Sequence, residues 1–218
     1  MSVTIPDAKE GKTLRTKKHW LWDYLEGWGI SYEHCLWIMI AFGLGFVASA
    51  VFVFTMQDTV CQELSIYLQD FFHNIAESGT DSAVLCKTGI GMNFRNVLFL
   101  LLCSFLIIGA FFIVGFSVLG GFVHGFTFFF FCKQYGIKSL LFFLLGMLPH
   151  YTLLAPAYLL FLVLVLRFSL LLREKHELKR RVVSLFAKTA VLFALMLMAT
   201  LLQAYVEPAL IGLIAGMF

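Results

Sequence analysis

The sequence predicts an all-α, polytopic integral membrane protein of about five transmembrane helices with a broken or kinked fourth span, and three observations carry that expectation. Hydrophobic residues make up 61% of the 218 positions and charged residues only 13%, with a mean hydropathy of +0.90, too few charges to coat a water-soluble globule. The charges fall in clusters between apolar runs of the length a helix needs to cross hydrocarbon. Lys and Arg are divided unevenly among those clusters, which orients the chain. Nothing in the charge pattern supports binding to nucleic acid.

Residues 1–35 carry five Lys/Arg and five Asp/Glu and lack a short apolar core ending in a small-residue cleavage site, so a retained, cytoplasmic amino terminus is expected. Within and just beyond this segment Trp20, Trp22, Tyr24, Trp28, Tyr32 and Trp37 mix with charges, the composition of an interfacial helix. Residues 36–54 hold 19 residues without a charge and read as span one. Residues 55–96 hold five acids (Asp58, Glu63, Asp70, Glu77, Asp81) against Lys87 and Arg95, which places this loop outside. In it Val60, Leu64, Tyr67, Leu68, Phe71 and Phe72 recur at three- and four-residue spacing, an amphipathic helix that either packs on the membrane face or docks a partner. Cys61 and Cys86 share the loop, and whether they form a disulfide is open at this level.

Residues 97–119 are uncharged and read as span two, and residues 120–138 as span three if Lys133 and Lys138 snorkel. Residues 139–166 form span four, broken near Pro149, with Pro156 a second interruption. The alternative is a re-entrant loop around Pro149, which would put Lys133 and Lys138 inside. Residues 167–184 include Arg167, Arg173, Lys175, Lys179, Arg180 and Arg181 against Glu174 and Glu177, the strongest cytoplasmic marker. Residues 185–205 are span five, and residues 206–218 an extracytoplasmic carboxyl-terminal tail.

Polar side chains inside hydrocarbon are the default functional candidates. Here they are Ser104 and Ser117, each expected to bond back to its own helix, with His124 and His150. A serine hydrolase would require Ser117 to meet one of those histidines, but Gly115–Gly120 places its glycine one residue late for the nucleophile-elbow pattern. No acid lies between Asp81 and Glu174, and Glu207 stands only at the exit of span five, so neither a metal cluster nor a charged carrier path is expected. Gly121 and Gly125 form a G-x-x-x-G pair suited to close helix approach, within the chain or between copies in a homo-oligomer.

The order of these features resembles the stage II sporulation protein M family over roughly residues 55–208. The residues that carry the resemblance are the Gln-rich amphipathic start at 55–72, Gly120 to Phe126, the Pro149-His150 step followed by Pro156-Ala157, and Gln203, Tyr205 and Pro208. The wider family typically reads P-H-G-x-x-E-x-P-A at that step; this chain has Tyr151 and Leu154 there, and Gln203 where glutamate is usual. The resemblance implies a non-enzymatic scaffold without cofactors in the mother-cell membrane of an endospore-forming bacterium. It also implies the partners: two peptidoglycan-degrading enzymes, stage II sporulation proteins D and P, held at the septum for forespore engulfment. The residues expected to dock partners or pack helices are Leu64, Tyr67, Leu68, Phe71, Phe72, Gly121, Gly125, Phe126, Pro149, His150, Pro156, Gln203, Tyr205 and Pro208. The competing function is a permease or channel component built on the discontinuous fourth span.

Overall fold

The computed structural model describes residues 27–28, 30–78, 81–106, 108–139, 143–172 and 178–214, with the side chains of 71–78, 145 and 211–214 outside that description. Helices α1 (Tyr32–Thr55), α2 (Asp58–Ser78), α3 (Ser82–Ser104) and α4 (Gly109–Tyr135) come first. A π-helical turn (Phe143–Met147) leads into α5 (Leu148–Leu171), then α6 (Leu178–Tyr205) and α7 (Glu207–Ile214). There is no strand among the described residues. Four stretches are long and apolar enough to cross a membrane: α1, α4, α5 and the run Leu178–Leu210. The interfacial helix expected ahead of α1 falls almost wholly outside the described residues.

Contacts along the helices fix their directions. Ser117 lies against Ile38, Gly121 against Phe42, Gly125 against Ser49 and Lys133 against Val53, so α1 and α4 run parallel. Helix α5 runs back along α4, from Tyr151 beside His124 to Ser169 beside Gly109. Helix α6 returns along α5, from Arg181 at Leu171 to the segment that brings Glu207 to His150. We call the end holding Tyr32 and Gly109 the near end, and that holding Thr55 and Tyr135 the far end. Helix α5 is central: Phe161 through Leu166 are all buried, as expected of a helix apolar on every side.

Helix α3 departs most from the sequence expectation. An apolar run at 97–119 predicts one span, yet the helix ends at Ser104 and a new one starts at Gly109. The chain turns through Leu106 N–H to Cys103 C=O and Gly109 N–H to Leu106 C=O, both 3.0 Å. A Cβ at Gly109 would collide with the Cys103 carbonyl oxygen, so only glycine fits the return. The same helix begins much earlier than expected, at Ser82, where Asp81 accepts hydrogen bonds from the amides of Ala83 (2.9 Å) and Val84 (3.4 Å). Its 23 residues span about 35 Å and run antiparallel to α6, with Phe94 against Phe193 and Asn93 against Thr200. Residues 82–96, assigned from charge to an outer loop, thus lie along the bundle.

Span four also differs. Pro149 does not break a helix but sits in the first turn of α5, where a missing N–H removes no intrahelical bond. The irregularity lies just before it, in the π-turn, and α5 continues through Pro156 to Leu171. Helix α5 runs back along α4 between Gly109 and His124 and is itself long and apolar enough to cross a membrane. Helix α4 stops at Tyr135, where Gly136 takes φ 55°, a left-handed conformation glycine adopts without strain.

Candidate functional site

Three groups of side chains gather toward the far end. The first is the seat of α2. Cys61, Leu64 and Leu68 pack against Val53, Phe129 and Phe130, and Leu68 also meets Phe131. The thiol of Cys61 donates to Gln134 Oε1 at 3.8 Å. Lys133 donates to the Val53 carbonyl at 3.2 Å, tying the ends of α1 and α4 together. One apolar strip of α2 is therefore docked. The neighbouring strip is open: Val60 and Tyr67, seven residues apart on one helix face, are exposed, Tyr67 at 72%. Phe71 and Phe72 belong to α2, but their side chains lie outside those described. All five cysteines are free thiols, so Cys61 and Cys86 form no disulfide.

The second group centres on His150. Its ring is buried and its Nδ1 pairs with Oε1 of Glu207, itself buried. The Tyr151 ring lies 4.3 Å from His150 and 5.1 Å from His124. Sequence reading separated Glu207 from the membrane histidines by assigning it to an outer tail. Its signal was available in outline, since a lone acid following a span must find a partner or water.

The third group is a cavity of about 350 Å³ between α3, α4 and α5, whose polar lining is Asn93, Asn96, His124 and Tyr158. Asn93 donates to the Thr200 hydroxyl at 2.9 Å. His124 Nδ1 lies 2.6 Å from the Gly120 carbonyl, which can only accept, so the neutral ring keeps Nε2 as an acceptor. Asn93 and Asn96 were missed as site residues because their charged neighbours Lys87 and Arg95 drew the whole stretch into a loop.

The remaining expected residues divide. Gly121 and Gly125 serve packing within the chain: a Cβ at Gly121 would meet the Phe42 carbonyl, and one at Gly125 the hydroxyl of Ser49. Phe126 stacks on Phe130 at 5.8 Å in the same region. Pro156 lies exposed on α5, Gln203 and Tyr205 are exposed on α6, and Pro208 is partly buried in α7. Ser104 bonds back to Leu101 C=O at 2.7 Å, but Ser117, expected to do the same, instead donates across to Ile38 C=O of α1 at 3.0 Å. With Ser117 committed to α1, His124 to Gly120 and His150 to Glu207, no serine–histidine pair is assembled among the described residues.

The family described as Stage II sporulation protein M matches this chain over residues 38–208. Searches of curated proteins and of solved structures return no significant match.

Proposed function

Because the chain belongs to the stage II sporulation protein M family, we propose that it is a non-catalytic membrane scaffold that anchors and localises peptidoglycan-degrading enzymes at the septum during forespore engulfment. A cytoplasmic near end is supported by the basic segment joining α5 and α6, and an outer far end by the acidic stretch around α2. If α3 crosses together with the four apolar stretches, the crossings number five and the carboxyl terminus is extracytoplasmic. The observation that carries the reading is α2, which is held on the bundle by Cys61, Leu64 and Leu68 while Val60 and Tyr67 remain uncovered. An anchored helix with a second, open apolar strip is suited to holding another protein, and exposed tyrosines are frequent interface anchors.

The test is co-purification from sporulating cells. The detergent-solubilised protein should retain the peptidoglycan hydrolases, stage II sporulation proteins D and P, and Val60→Ser with Tyr67→Ser should weaken that retention roughly thirty-fold without lowering the protein's own level. Wild-type protein that retains no hydrolase, with engulfment intact after deletion, would sink the scaffold reading.

A second reading, a permease or channel component, is favoured by the cavity lined by Asn93, Asn96 and His124. Solute flux in reconstituted vesicles that falls on His124→Ala would support it; vesicles tight to every solute tried would remove it.

A further inference from the structure

The cavity of about 350 Å³ between α3, α4 and α5 lies at hydrocarbon depth, because Gly120 and His124, which line it, stand in the middle of the 27 residues of α4, an apolar crossing. The protein uses only part of its polar lining. Asn93 donates to the Thr200 hydroxyl and His124 Nδ1 is committed to the Gly120 carbonyl. Neither the Asn96 amide nor the Tyr158 hydroxyl makes a hydrogen bond among the described residues. Unpaired polar groups inside a membrane are costly and point to a function. No lysine, arginine, aspartate or glutamate lines the cavity, so nothing there matches an ionised ligand. An amide and a phenol offer donors and acceptors together, the complement of a hydroxyl group. The rest of the wall is apolar, with Phe116, Leu154 and Leu159. Its outer edge is formed by Leu119 and Val123, which are 60% and 59% exposed on the surface of α4.

We propose that this cavity binds the glycerol headgroup of an uncharged lipid, a diacylglycerol, whose hydroxyl pairs with Asn96 and Tyr158 and whose acyl chains leave past Leu119 and Val123 into the bilayer. A phospholipid would bring an ionised phosphate to a cavity with no cation to meet it. A water-soluble polyol shares the hydroxyl chemistry but must enter hydrocarbon to arrive, whereas a lipid reaches the opening from the side. The inference rests on neither reading of the function, since it concerns binding and not retention of an enzyme or flux of a solute.

Thermal unfolding of the full-length protein is followed in a zwitterionic detergent whose headgroup carries no hydroxyl, while dioctanoylglycerol, dioctanoyl phosphatidic acid or glycerol is titrated in. Dioctanoylglycerol should raise the midpoint in a saturable way. The phosphatidic acid, with the same chains but a phosphate in place of the hydroxyl, and glycerol, with hydroxyls but no chain, should not at the same concentrations. Tyr158→Phe should weaken the apparent affinity roughly five-fold and Asn96→Leu roughly ten-fold. Because these polar groups have no partner within the chain, neither substitution should lower the midpoint without lipid, which separates a ligand contact from a structural one. The methyl of Gly120→Ala would sit in ordinary contact with Tyr158 at 3.7 Å and Phe42 at 3.9 Å, narrowing the cavity and weakening binding severalfold in a protein that folds normally. Gly43→Ala, with nothing within 4 Å of its methyl, should bind as the wild type does. The proposal is overturned if dioctanoylglycerol gives the wild type no saturable shift, or if phosphatidic acid or free glycerol matches it. It is equally overturned if Tyr158→Phe and Asn96→Leu leave the affinity unchanged, or lower the lipid-free midpoint instead.

Discussion

Helices in this molecule are joined in two contrasting ways. The seam between α1 and α4 is made by removing side chains: Gly45 faces the Val118 carbonyl, Gly121 the Phe42 carbonyl, and Gly125 sits against Ser49. The junction of α5 with α7 is made by adding polar ones, the buried pair of His150 and Glu207. The contrast follows from the solvent. Lipid tails are as apolar as leucine, so apolar burial does not by itself drive helices together; close backbone approach and hydrogen bonds do. The long seam uses the first, and the short contact of α5 with α7 uses the second.

The largest expected effect breaks the polar junction. Glu207→Ala leaves the buried His150 without its partner, and unfolding in detergent should show a loss of about 3 kcal/mol, together with release of α7 to proteolysis. Next comes the glycine seam. Gly121→Ala sets a methyl against a backbone carbonyl that cannot swing away and should cost about 1–3 kcal/mol, whereas Gly43→Ala, with nothing within 4 Å of the new methyl, should be within about 0.5 kcal/mol of the wild type. Equal effects at the two glycines would refute the seam. The smallest effect sharpens an intermediate case, the contact of α3 with α6. Asn93→Leu removes the bond to Thr200, but Thr200 still donates to the Met196 carbonyl at 2.9 Å, so the loss should be about 0.6 kcal/mol.

These junctions were unequally visible in the sequence. The uncharged run at 36–54 identified a helix because length and hydropathy alone define a membrane crossing. Gly121 and Gly125 announced a close approach, but the approaching helix was not readable, since spacing reports a surface and not its complement. Helix α3 was misdivided because its two halves differ: Lys87, Asn93, Arg95 and Asn96 lower the hydropathy of the first, while Val97 to Cys103 merge with the apolar start of α4. The turn at Gly109 left no polar signal, its backbone groups being satisfied by one another. Pro149 was recognised as punctuation but read as an interruption when it is a beginning. The histidine–glutamate pair was hidden by distance, its members lying 57 positions apart.

The parallel course of α1 and α4 imposes an order on biosynthesis. Ile38 enters the bilayer early, yet Ser117, which completes its contact, lies 79 positions later, after α2 has been laid down outside the seam and α3 has returned. Until then the small-residue groove around Gly45 stands against lipid or the insertion machinery. The structural axis of this protein is therefore assembled after the nascent chain has already emplaced its flanks, which makes late-stage docking of α4, not early insertion of α1, the step at which a glycine lesion would be felt.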